Sequence, residues 1–202
     1  MGSKLNIAVL GSTKGTDMLA IIDAIEKKQL DAQIVLVVSD KKDALILDRA
    51  KSHKIDTFVV DYKKYDKRDD AEKEIVKKLN SKKVGLVLLI GFMKILSPYF
   101  VTEFRQRIWN IHPSLLPKYA GGMNMDVHSE VLKNKEKESG CTLHEVSEEV
   151  DTGRIILQKK LKITPNETAQ SLKEKVQKLE QECLLEAIKS VIEGKIHIGE
   201  QK

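Results

Sequence analysis

The chain opens on a run of apolar residues, 5–10 (LNIAVL), that stops at Gly11. Met18, Leu19, Ile21, Ile22 and Ile25 then recur at helical spacing, so the pattern reads strand, turn, helix. A β-branched run at 34–38, a helical pattern at 44–52, a strand at 57–60 and an amphipathic helix at 69–79 follow. Residues 84–90 (VGLVLLI) are almost continuously apolar, as a central parallel strand buried on both faces requires. Strands alternating with helices through this half predict an α/β architecture, a doubly wound parallel sheet.

The second half is less regular. Ser97-Pro98 puts proline at a first helical position and predicts a short helix over 99–104. Residues 108–111 read as a strand. Pro113 and Pro117 then break the backbone, Ala120-Gly121-Gly122 extends the loop, and 126–134 reads as helix. Strands are expected at 142–146 and 155–163, joined through a turn at Asp151-Thr152-Gly153, and a long helix at 168–193. The charged stretch 133–138 reads as solvated surface.

Length and composition narrow the classes. At 202 residues with 41% hydrophobic content the chain is expected to form one domain with a sizeable core, spanning 1–202. The 35 basic and 30 acidic residues leave a net charge of +5, spread along the chain, which suits a phosphorylated or polyglutamylated small molecule. Aromatic residues make up only 4% and do not interleave with basic runs, so base stacking on single strands is not indicated and no nucleic-acid partner is expected. Cys141 and Cys183 form no C-x-x-C motif, and the N-terminus carries no secretory apolar core, so a reducing, cytoplasmic location is expected. The apolar runs fall far short of the roughly 20 residues a membrane helix needs. Met1-Gly2 opens like a myristoylation signal, but Asn6 stands where that signal wants serine or threonine.

Three segments carry chemistry. The first turn, Gly11-Ser12-Thr13-Lys14-Gly15-Thr16-Asp17, lets backbone N–H groups approach an anion at a helix start. It matches neither the dinucleotide fingerprint nor the P-loop, and a tight turn capped by Thr16 or Asp17 is an equal account. In Asn110-Ile111-His112-Pro113, strand alternation puts Asn110 and His112 on one side at the carboxyl end of a sheet strand, where open α/β sheets bind ligands. An amide can donate to a developing oxyanion and an imidazole can move a proton, although such a pair can equally satisfy loop backbone groups. Asp151, in a polar turn, adds a group able to hold the imidazole. The trio suits attack of an amine on a carbonyl carbon without a covalent intermediate. Ser114 lacks a nucleophile elbow, and His53, His112, His128, His144 and His197 are not at metal-ligand spacings, so no metal is expected.

The segments NIHPSLLPKY (110–119), GFMKILSP (91–98) and VDTG (150–153) with IILQ (155–158) together resemble the phosphoribosylglycinamide formyltransferases, folate-dependent formyltransferases of purine synthesis. The resemblance runs over residues 6–193. It implies a Rossmann-like, mostly parallel twisted sheet with helices on both faces and a long C-terminal helix. The nucleotide-phosphate half would occupy about 5–90 and the folate-binding, catalytic half about 91–193. It implies 10-formyltetrahydrofolate as co-substrate and glycinamide ribonucleotide as acceptor, on a monomer or homodimer. By position, Asn110, His112 and Asp151 would be catalytic, with Asp151 keeping His112 charged. Gly15, Thr16, Asp17, Ser114, Lys118 and Glu180 would bind the nucleotide. Phe92, Met93, Lys94, Ile95, Leu96, Val101, Val146, Glu148 and Val150 would surround the folate. Three positions depart from the family: Asp17 stands where asparagine is frequent, Lys94 where arginine is familiar, and 120–127 (AGGMNMDV) is longer than its counterpart, with His128 where that motif ends in histidine.

Formyltetrahydrofolate hydrolase and methionyl-tRNA formyltransferase share the same trio. The first is expected to need an added N-terminal domain and the second a C-terminal one, so chain length favours the nucleotide enzyme. A nicotinamide oxidoreductase would need the dinucleotide fingerprint alongside Asp40, and a non-catalytic binding module would need no Asn-His-Asp set.

Overall fold

A computed structural model describes residues 4–121 and 127–199. Its first half alternates as the pattern predicts: β1 (Leu5–Leu10), α1 (Thr16–Glu26), β2 (Ala32–Ser39), α2 (Leu45–Ser52), β3 (Thr57–Val59), a 3-10 turn (Tyr62–Lys64), α3 (Arg68–Ser81) and β4 (Leu86–Leu89). The second half adds α4 (Pro98–Glu103), β5 (Ile108–His112), α5 (Val127–Lys133), β6 (Glu138–Glu145), β7 (Ile155–Lys162) and α6 (Ala169–Ile192). The expected start of α5 at Asp126 lies outside the described residues.

The strands form one sheet in the order β3-β2-β1-β4-β5-β6-β7. β1 to β5 pair in parallel, and β6 and β7 join antiparallel. Successive residues of the central strands face opposite cores. Ile7 and Val9 of β1 with Leu86 and Leu88 of β4 pack under α1, α2 and α6, whereas Ala8, Leu10, Val87 and Leu89 pack under α3 and α4. Burial on both faces is why these strands read as unbroken apolar runs. Strand order turns between β1 and β4, with β2 and β3 to one side and β5 to β7 to the other. The loops leaving β1 and β4 therefore part and open a crevice at the carboxyl ends of the strands.

Two local features depart from the sequence pattern. β6 starts at Glu138, inside the charged stretch, because Glu138 pairs across from Lys162 of β7 and opposite charges tolerate a cross-strand position that apolar patterning does not mark. At the start of α1, neither Thr16 nor Asp17 is the cap. The capping position is Gly15, at φ 65 and ψ 37, with no side-chain cap bond. A side chain there would be strained by the positive φ and would bring its Cβ to 2.3 Å from Cγ1 of Ile46, so only glycine fits. α6 begins on a reciprocal cap, with the Thr168 hydroxyl accepting from the Ser171 N–H and the Ser171 hydroxyl accepting from the Thr168 N–H. Its buried stripe of Leu172, Val176, Cys183, Leu184, Ala187 and Ile188 includes one carboxyl group, Glu180.

Candidate active site

Asn110 and His112, two apart on β5, both open onto a cleft of about 290 Å³ that Asp151 also lines. The connection from β6 to β7 delivers Asp151, which sits at φ 56. Gly153 lets that connection return so tightly that a Cβ there would lie 1.8 Å from the Glu145 carbonyl oxygen. The predicted trio is thus brought to one place. The strand register adds a fourth member, since Asn110 pairs directly with His144 of β6.

The Asp151 carboxylate lies between two imidazoles. Its Oδ2 is 3.4 Å from His112 Nδ1 and its Oδ1 is 3.4 Å from His144 Nε2. The Gly121 N–H donates to Oδ2 at 2.9 Å. His112 Nε2 lies 3.0 Å from the Tyr119 carbonyl oxygen. A carbonyl only accepts, so this nitrogen carries a proton and, in the neutral ring, Nδ1 is the free base facing Asp151. His144 Nδ1 donates in the same way to the Glu145 carbonyl at 2.8 Å. Its Nε2, 3.1 Å from Asn110 Nδ2, can accept from the amide or, when protonated, donate to Asp151.

Burial pushes the His112 imidazole below its ordinary pKa of 6.5, and the attraction of Asp151 and the Tyr119 carbonyl only partly opposes it. This shift favours the neutral imidazole near pH 7 and runs against the expectation that Asp151 holds it charged. Burial acts to raise the Asp151 carboxyl, but the His144 hydrogen bond, the Gly121 N–H and the charges of the two imidazoles outweigh it and hold that carboxyl below the ordinary range. The outcome is an ionised carboxylate beside an unprotonated Nδ1, an arrangement ready to take up one proton.

Phe92, Met93, Lys94, Ile95, Leu96, Val146, Glu148 and Val150 line the same cleft, as expected. Val101 does not. It is buried on α4, in the same core cluster as Phe92 and Leu96. The loop after β4 is tied down at several points. The Ser12 hydroxyl accepts from the Met93 N–H at 2.9 Å, Arg68 Nη1 donates to the Ile95 carbonyl at 3.1 Å, and Glu72 accepts from the Ser97 N–H at 2.9 Å and from the Ser97 hydroxyl. Glu72 and Ser97 are both fully buried. Glu72→Ala is expected to strand both Ser97 donors and to cost about 1–3 kcal/mol, read from urea unfolding, with Glu72→Gln losing less. Equal stability of Glu72→Ala and wild type would remove this anchor from the account.

The expected nucleotide residues are only partly gathered. Gly15 caps α1 and Thr16 is its first residue, so their N–H groups have no partner within the helix, and Thr16 Oγ1 accepts from Arg49 Nη1 at 3.4 Å. Asp17 is buried and turned toward α6, where Gln181 Nε2 donates to its Oδ1 at 3.4 Å. Burial raises its carboxyl to about 6. Glu180, buried on α6, is raised well above the usual carboxylate range by burial and by the charge of Asp17. Ser114 spends its hydroxyl on the Lys118 carbonyl at 2.9 Å, and Lys118 Nζ pairs with Glu136 at 2.7 Å. Neither lines the cleft that holds Asn110 and His112. Residues 122–126 of the lengthened loop lie outside the described residues.

Among the described residues, no group of three or more His, Cys, Asp or Glu side chains is placed to hold a metal ion, and no helix is long and apolar enough to cross a membrane.

A twisted α/β sheet with an amide, an imidazole and a carboxylate converging at its crevice suits transfer of an acyl-type group. The sequence model of the formyl transferase family matches residues 5–188, and the chain belongs to that family. It is 38% identical over 192 residues to the phosphoribosylglycinamide formyltransferase of Haemophilus influenzae, covering 95% of this chain and 89% of that relative. It is 40% identical over 190 residues to the trifunctional purine biosynthetic protein adenosine-3 of Drosophila melanogaster, covering 93% of this chain but 14% of that relative, so it spans a small part of the trifunctional proteins' length. The crystal structure of glycinamide ribonucleotide transformylase 1 from Symbiobacterium toebii superposes with a TM-score of 0.91 at 32% identity, covering 100% of this chain and 93% of that one.

Proposed function

We propose that this chain transfers a formyl group from 10-formyltetrahydrofolate to the amine of 5-phosphoribosylglycinamide, yielding formylglycinamide ribonucleotide and tetrahydrofolate in purine synthesis. The observation that carries the reading is the convergence of Asn110, His112 and Asp151 in one cleft whose other walls are residues 91–96 and 146–150. The cleft fits a flat heteroaromatic ring, because Phe92, Leu96, Ile111, Val146 and Val150 offer apolar faces while loop backbone supplies polar edges. The reduced folate supplies a formyl group carried on nitrogen.

Asn110 donates from its amide to the formyl oxygen as negative charge develops there, and its pairing with His144 fixes the amide's orientation. His112 takes a proton from the attacking amine on Nδ1. The imidazolium so formed is held as an ion pair by Asp151 while Nε2–H stays on the Tyr119 carbonyl. From His112 the proton returns to the departing nitrogen of the donor. The N–H groups of Gly15 and Thr16 bind the phosphate at the start of α1, and Glu180 of α6 is assigned to the sugar hydroxyls. Ser114 and Lys118 support this site by holding the 112–119 loop in shape. The two free, buried cysteines suit a reducing, cytoplasmic setting.

Because the reaction needs His112 unprotonated and burial lowers its pKa, the acid limb of kcat/KM is expected below pH 6.5, with a flat profile from there to neutrality. An acid limb above pH 7 would contradict the assignment of His112 as the base. The activity itself is tested by following an isotope-labelled formyl group by NMR: it is expected to appear as an amide on the ribonucleotide. Appearance only as free formate would reject transfer.

A further inference from the structure

α2 lies against the loop that leads from β1 into α1. Ile46, fully buried near the start of α2, donates its N–H to the Thr13 carbonyl at 3.1 Å and packs its side chain against Gly15. Arg49 follows three residues later and so shares that face of the helix. From there its Nη1 donates to Thr16 Oγ1 at 3.4 Å. The acid beside it on α2, Asp48, faces Lys51 at 3.6 Å, and the acid beside Thr16 on α1, Asp17, is buried and turned toward α6. Arg49 forms no ion pair among the described residues, so a half-buried guanidinium stands at the start of α1 without a carboxylate partner.

We propose that Arg49 is a positioning residue for the phosphate of the acceptor: it fixes the Thr16 hydroxyl as a donor toward the phosphate and supplies the positive charge that makes the site select a dianion. The inference rests on the function proposed above, which puts the phosphate at the N–H groups of Gly15 and Thr16. A hydroxyl has one hydrogen and two lone pairs, and a guanidinium only donates. The N–H of Arg49 therefore occupies a lone pair of Thr16 Oγ1, and the Thr16 O–H, which donates to no group among the described residues, is left for the ligand. Charge carries the inference further. The start of a helix presents only about half a positive charge, whereas a phosphate monoester brings about two negative ones near neutral pH. The guanidinium offsets part of that difference. Its place is set by the packing of Ile46 on Gly15, so the cation is held beside the N–H groups before any ligand arrives.

The test compares glycinamide ribonucleotide with the same acceptor lacking its phosphate, the riboside, on wild type, Arg49→Gln, Arg49→Lys and Lys51→Gln. In Arg49→Gln the KM for the ribonucleotide is expected to rise about tenfold, while kcat, the riboside KM and the KM for the formyl donor stay within about twofold of wild type. The difference should narrow at high salt. Ribose 5-phosphate, as a competitive inhibitor, should weaken by the same factor as the ribonucleotide. Arg49→Lys keeps the charge without the planar fork and should recover part of the loss. Lys51→Gln removes a neighbouring exposed charge of α2 and should bind the ribonucleotide as wild type does. A merely structural role for Arg49 would raise the KM of both acceptors together or lower kcat, and either result would overturn the proposal. So would an equal loss in Lys51→Gln, which would reduce the effect to general surface charge. If wild type itself shows no preference for the ribonucleotide over the riboside, the phosphate site on which the inference rests is wrong. If wild type shows the preference and Arg49→Gln retains it in full, this inference alone is overturned.

Discussion

Asp151→Asn is expected to lower kcat by about 10²–10⁴ while leaving the folded structure in place, the range associated with loss of a positioned proton-transfer system. Asparagine keeps the size of the side chain and an oxygen to accept from the Gly121 N–H, so the β6–β7 connection retains its anchor. The charge is what disappears. Without it His112 has no anion to hold the proton it takes up at Nδ1, and His144 loses the same partner, so one substitution disables both imidazoles. The pH dependence of stability supplies a check independent of catalysis. The folded carboxyl is held below its ordinary value, so it contributes stability that is present above the unfolded pKa and is lost as pH falls through the folded one. The variant should therefore be less stable than wild type near neutrality and converge with it in acid. A kcat within a fewfold of wild type would remove Asp151 from the mechanism.

Asp17→Asn is expected to stabilise the protein, a direction rarely seen for a substitution at a buried polar group. Burial raises this carboxyl from 3.8 to about 6, and a raised folded pKa means stability that is complete below the unfolded value and is lost as pH rises through the folded one. At about pH 7.5 wild type holds a buried carboxylate beside Glu180, at a cost of up to about 3 kcal/mol for a shift of about two pKa units. Asparagine keeps an oxygen for Gln181 and carries no charge. The gain should appear in urea unfolding at about pH 7.5 and vanish near pH 4, where the wild-type group is protonated. Affinity for the ribonucleotide phosphate should change little, since the carboxylate faces α6 and the N–H groups of Gly15 and Thr16 remain. A gain independent of pH, or none, would show that the Asp17–Glu180 pair does not carry this electrostatic cost.

These two residues also mark the limits of what the sequence discloses. Local patterning was enough for β1, β4, β5 and α6, because burial on both faces, strand alternation and a buried helical stripe are written in consecutive residues. It was also enough to place Asn110 and His112 on one side of β5. Asp151 could be named from its turn, but its position between two imidazoles depends on the register of β5 with β6, which also brings in His144. The trace of His144 was a polar residue inside the apolar strand CTLHEV, a signal that a satisfied core histidine gives equally well. The pairing of Asp17 with α6 joins residues 164 positions apart, beyond any local pattern. Val101, expected at the folate, sits on α4 in the core cluster shared with Phe92 and Leu96 rather than among the residues lining the cleft.

The central claim is that the cleft at Asn110, His112 and Asp151 delivers a formyl group to an amine rather than to water. The most direct measurement follows deformylation of 10-formyltetrahydrofolate by absorbance, with glycinamide ribonucleotide present and absent. Deformylation that requires the ribonucleotide, with one folate released per formylated product, is the predicted result. Equal deformylation without the amine would make the chain a hydrolase and contradict the account.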